Sequence, residues 1–85
     1  MKELAVDLGN LEPGKRAVVI AIRGGIGATR RLDAMGIRPG ILLEKISGQP
    51  FGGPVVVQVG NNRIALGFGI ARKVQVETGR GQNAT

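Results

Sequence analysis

The order of apolar and polar positions divides the chain into short elements separated by glycine-rich breaks. Residues 54–59, PVVVQV, carry the cleanest strand signal, with Val55, Val57 and Val59 alternating against Val56 and Gln58. Asn61-Asn62 then offers residues that tolerate positive φ in a tight hairpin turn. RIAL (63–66) continues from it, with Ile64 and Leu66 facing inward. RKVQVE (72–77) alternates again, Val74 and Val76 inward against Lys73, Gln75 and Glu77 outward. Upstream, AVVIAIR (17–23) is an unbroken β-branched run in which Val18, Ile20 and Ile22 are predicted to share a face. ILLEKI (41–46) predicts a further strand, and LAVDL (4–8) reads as a short lead-in segment before the GNLEPGK turn.

Between 28 and 35 the period changes from two to about four. Ala28, Leu32 and Met35 fall at i, i+4 and i+7, one face of a short helix. Residues 36–41 spell its end. Gly36 suits the left-handed position after the cap, because it has no Cβ to clash, and Ile37 then folds back toward Leu32. Arg38-Pro39-Gly40-Ile41 fits a type II turn, proline setting φ and glycine taking the positive value. GFGIA (67–71) predicts one more helical turn. The sum is a mainly β fold: a small barrel of about five strands, with one inserted short α-helix at about 28–35 and a helical turn near 67–71.

At 85 residues the chain is sized for one domain, expected over 1–77, with a patternless tail at 78–85 that should fray. So small a core leaves little room for a deep cleft. Its apolar runs fall well short of the ~20 residues a membrane helix needs. Lys2, Glu3 and Asp7 interrupt the start where a signal peptide needs an apolar stretch, so the expected location is the cytoplasm. Twelve Lys/Arg against six acids give a net charge of +6, which favours an anionic partner: nucleic acid, a membrane surface or an acidic protein. The positive residues are dispersed, as a solubilising surface would also have them.

Candidate chemistry is sparse. There is no histidine or cysteine, so neither a disulfide nor an imidazole or thiolate metal site is available, and no cofactor is expected. The carboxylates Glu3, Asp7, Glu12, Asp33, Glu44 and Glu77 show no paired spacing, which argues against an enzyme. Gly25-Ile26-Gly27-Ala28-Thr29-Arg30 begins like a phosphate-cradling G-x-G-x-x-G loop, and Glu44 lies about where its ribose-binding acid would be. However, arginine ends the motif where a small residue belongs, and the helix is too short for a dinucleotide-binding crossover. Single-strand nucleic-acid barrels present aromatic platforms, and proline-rich peptides dock into aromatic grooves. Two phenylalanines and no tyrosine or tryptophan argue against both. The remaining candidates are partner-contacting: Arg30, Arg31 and Arg38 around the helix, Arg72 and Lys73 elsewhere on the barrel, and Phe51, in QPFGGP, as an anchor or a lid.

The helix RRLDAMGI, the turn RPG before a strand, the loop PFGGP, the hairpin into IALG, and ARKVQV opening the last strand occur here in one order and spacing. In that arrangement, from about Leu4 to Glu77, the chain resembles the FeoA family, small accessory proteins of bacterial ferrous iron uptake. The resemblance implies an SH3-like β-barrel and a non-catalytic cytoplasmic adaptor that binds or regulates FeoB, the membrane transporter carrying a GTPase domain. Unclosed barrel edges could pair between chains, so a monomer or weak homo-oligomer is expected. The resemblance also places the chain in a family linked to transition metal ions without requiring that the chain grip one. Two other readings stand beside it: a basic barrel binding nucleic acid, and a stand-alone relative of the SH3-like domain of iron-dependent repressors, although no helix-turn-helix precedes it here.

Overall fold

In a computed structural model, which describes residues 5–48 and 52–78, the chain forms six strands and two helices. They run β1 (Ala5–Asp7), β2 (Arg16–Ile22), α1 (Gly25–Ala34), β3 (Leu42–Gly48), β4 (Val55–Val59), β5 (Asn62–Leu66), α2 (Phe68–Ala71) and β6 (Val74–Glu77). The strands make one antiparallel sheet in the order β1-β6-β2-β3-β4-β5, curled but not closed, since β1 and β5 do not pair. This is one strand more than the pattern predicts. The extra one is β1, from the lead-in segment, which pairs Val6 with Val76 beside β6. Of the tail expected at 78–85, residues 79–85 lie outside the described residues.

Two bulges bend the sheet around its core, because an extra residue on one strand increases the local twist. The first falls between Val19 and Ala21: Val19 pairs with Val76 and Ile22 with Val74. Ile20 is the inserted residue, and the shared face predicted for Val18, Ile20 and Ile22 does not exist. Ala17 and Val19 are buried instead, while Ile20 is exposed. The second bulge lies between Lys45 and Ser47. Inside the curl, Leu43, Val55, Val57, Leu66, Val74 and Val76 pack with Leu8, Leu11 and, from α1 and its exit, Leu32 and Ile37.

The hairpin β4–β5 turns on Gly60-Asn61, with Val59 opposite Asn62. Gly60 alone supplies the positive φ (59°), at the first central position as in a type II′ turn, and no non-glycine residue among those described has φ > 0. The expected Asn61-Asn62 turn is therefore shifted by one residue, and Asn62 begins β5. The helix ends as its sequence predicts. Gly36 (φ 86°) donates to the Asp33 carbonyl and Ile37 to the Leu32 carbonyl, both at 2.9 Å, the two bonds of a Schellman ending. Ile41 N–H then reaches the Arg38 carbonyl at 3.2 Å across Pro39-Gly40, where Gly40 has φ 94°.

Candidate functional site

The start of α1 differs from the expectation in a way that shapes the site. The helix begins at Gly25 and not at Ala28, with Gly24 left-handed (φ 100°) before it. Gly25, Ile26 and Gly27 thus form its first turn, not a loop. Ala28 and Leu32 face the barrel, which leaves Ile26 off the buried stripe and 71% exposed. Arg30, four residues on, shares Ile26's side of the helix. Arg31 is also exposed, and neither arginine has an ion-pair partner among the described residues.

Arg38 is placed differently. It sits beyond the helix C-terminus, and its Nε donates to Asp33 Oδ1 at 2.7 Å with both side chains more than half exposed. Such a solvent-exposed pair stabilises the fold by at most ~1 kcal/mol, but it takes one of the three candidate arginines out of the free positive surface. Leu32 and Ile37 are wholly buried and Met35 half-buried, so the apolar residues flanking these arginines belong mainly to the core.

At the other end of the helix the structure brings in Lys73. Its Cδ lies where a Cβ on Gly24 would come within 2.7 Å, and its carbonyl accepts the Arg23 N–H at 2.8 Å. Arg72, next to it, holds its guanidinium 5.9 Å from the Phe68 ring centre, a cation–π contact. The basic candidates therefore fall into two groups, Arg72 and Lys73 near the start of α1 and Arg38 past its end. A ten-residue helix, about 15 Å long, separates the groups, and Arg30 and Arg31 lie along it. Phe51 lies outside the described residues.

One polar residue of consequence is absent from the sequence-based candidates. Lys45, on β3, is 3% exposed. Its Nζ donates to the main-chain carbonyls of Leu8 (3.1 Å), Gly9 (3.1 Å) and Leu11 (2.5 Å), so all three ammonium protons are used. Gly48 makes room for it: a Cβ there would lie 2.7 Å from Lys45 Cε. Burial lowers its pKa below the ordinary lysine value of 10.5, and the Asp7 carboxylate offsets part of that. The signal was present in ILLEKI, where a strand that buries Leu43 must also turn the residue two further on inward.

A shallow, open depression of about 140 Å³ is bordered by Arg16, Leu42, Leu43, Glu44, Gln58 and Gly60. Among the described residues no three carboxylates converge as a metal site would need, and no helix is long and apolar enough to cross a membrane. What the described residues present is a helix bearing Ile26, Arg30 and Arg31 in solvent, set on a curled sheet.

Comparison with known proteins agrees with that shape. Residues 6–78 match the family model described as the FeoA domain. A Methanocaldococcus jannaschii protein carrying the name Fe(2+) transport protein A is 41% identical over 64 residues, covering 75% of this chain and 76% of that one. The crystal structure of an iron uptake regulatory protein, FeoA, superposes with a TM-score of 0.81 at 36% identity, over 86% of this chain and 96% of the other. A manganese-dependent transcriptional repressor also reaches 0.81, but at 20% identity and with this chain spanning 44% of its length, a likeness of fold alone. An SH3-like barrel with an inserted helix, matched by this family over nearly its whole length, places the chain in the FeoA family of ferrous iron transport accessory proteins.

Proposed function

We propose that this chain is a non-catalytic cytoplasmic adaptor of ferrous iron uptake that acts by binding or regulating a FeoB-type transporter, with the exposed face of α1 as its docking surface. Family membership supplies the process. The observation that carries the surface is the helix itself: Ile26 stands in solvent, with Arg30 and Arg31 on the same helix lacking counter-ions among the described residues. An exposed apolar side chain with one unpaired arginine a turn away, and a second further round the same helix, suits an acidic protein surface with an apolar pocket, because charge steers the approach and the desolvated apolar contact holds it. Lys73 and Arg72 extend the positive surface toward the start of the helix, and Arg38 completes it once a partner carboxylate competes with Asp33.

The test is capture of the cytosolic part of a FeoB transporter by the full chain, compared with the variant carrying Arg30→Ala, Arg31→Ala and Arg38→Ala together. Capture should be lost in the variant while its melting temperature stays within a few degrees of the parent. Unchanged capture would refute this docking surface and leave the adaptor role standing. No capture by the parent, together with tight RNA binding that weakens steeply with salt, would replace the adaptor with a nucleic-acid-binding barrel.

A further inference from the structure

We infer that the free edge of β5 pairs with β5 of a second copy of this chain, joining two sheets across a two-fold axis at Ile64. This does not rest on the docking face of α1.

The hairpin sets which groups point outward. A two-residue loop makes Val59 and Asn62 a hydrogen-bonded pair, and in an antiparallel ladder such pairs alternate with non-bonded ones. Asn62, Ile64 and Leu66 therefore direct their N–H and C=O groups toward β4. Arg63 and Ala65 direct theirs outward. Among the described residues no other main-chain group bonds to this edge, and both residues are exposed. Two N–H and two C=O groups thus stand in line on a five-residue strand without proline, the arrangement that recruits another strand. The opposite edge, β1, is only three residues long.

The side chains select the occupant. With the axis at Ile64, Arg63 of one copy exchanges both hydrogen bonds with Ala65 of the other, and all four outward groups of each edge are used. Each arginine then faces an alanine, so no like charges lie directly opposite. Moving the axis to Arg63 would set two arginines face to face, which charge disfavours. The guanidinium is already drawn back over its own sheet, since Arg63 Nε donates to Gln58 Oε1 at 2.9 Å. On the inner face, half-buried Ile64 meets its own counterpart at the axis. The interface is isologous and closed. It is also small beside the ~1,200 Å² of a stable complex, so association is an equilibrium with Kd on the order of 1 mM, not a permanent dimer.

Ala65 lies in solvent, so its substitution leaves the core untouched and allows a test of both signs. Sedimentation equilibrium of the full chain should show Ala65→Glu associating about tenfold more tightly, because each new carboxylate faces the other copy's Arg63. Ala65→Lys should associate several-fold more weakly, by placing like charges opposite one another. In the Ala65→Glu chain the amides of Arg63 and Ala65 should gain exchange protection as concentration rises. An apparent mass that stays at 8.8 kDa in Ala65→Glu at millimolar concentration would overturn the proposal. So would association that ignores both substitutions, or protection of those two amides only when another protein is added.

Discussion

Lys45 shows how one residue organises a turn. Three main-chain carbonyls converge on its ammonium, and two of them, from Gly9 and Leu11, have no other donor among the described residues. Truncating the side chain leaves those acceptors unpaired in the interior, at ~1–3 kcal/mol each. Lys45→Met should thus lower the unfolding free energy by about 3 kcal/mol, read by urea denaturation. The pH dependence has a definite sign. Because the folded pKa lies below 10.5, the unfolded chain holds this proton more tightly, and Lys45's contribution to stability rises with pH through the window between the folded value and 10.5. The margin of the parent over Lys45→Met should accordingly widen as pH climbs toward 10.5; a shrinking margin would mean the buried charge is stabilised instead. Gly48→Ala presses on the same side chain and should cost about 1–2 kcal/mol. This residue was hidden in the sequence because lysine is so seldom buried that composition assigns it to the surface, and only the register of β3 says otherwise.

At the scale of elements, legibility followed regularity. The strands β4 and β6 alternate without interruption, and their inward valines could be read directly. In β2 a bulge inserts Ile20 and exchanges the faces on either side, an event that a run of β-branched residues cannot reveal, because every position in it is apolar. The start of α1 was obscured for a related reason: glycines at 24, 25 and 27 mark a break by propensity, yet the helix incorporates two of them in its first turn. Its end was plain, since Gly36 and Ile37 spell a Schellman motif whose bonds the structure forms. Gly36→Ala is expected to destabilise the chain by about 1–2 kcal/mol through backbone strain. The nearest atom to an added Cβ is 3.9 Å away, so crowding does not enter. A melting temperature unaltered by that change would show that the left-handed cap is dispensable.

For the whole molecule, the net charge of +6 named a class of partner but not a surface. Three-dimensional placement sorts the basic residues by what they already do: Arg38 pairs with Asp33, Arg63 bonds Gln58, Arg72 covers Phe68, and Lys45 lies inside. Arg30 and Arg31, like Lys15, Arg16, Arg23 and Lys73, have no ion-pair partner among the described residues, but these two lie on the helix that also exposes Ile26. That exposure is not legible in the sequence, where the helical period begins only at Ala28. If the three act as one surface, Ile26→Asp should weaken transporter binding at least as much as either single arginine change, with no loss of stability. A drop of more than about 1 kcal/mol in unfolding free energy would mean the side chain packs after all.

The proposed adaptor role requires this face to recognise a transporter and not a nucleic acid. The most direct measurement is the Kd of the full chain for a detergent-solubilised FeoB transporter, taken beside its Kd for single-stranded RNA at low and at physiological salt. We expect saturable transporter binding that Arg30→Ala with Arg31→Ala weakens at least tenfold, and no RNA binding that survives physiological salt. Tight RNA binding with a steep salt slope, and no transporter binding at either salt, would contradict it.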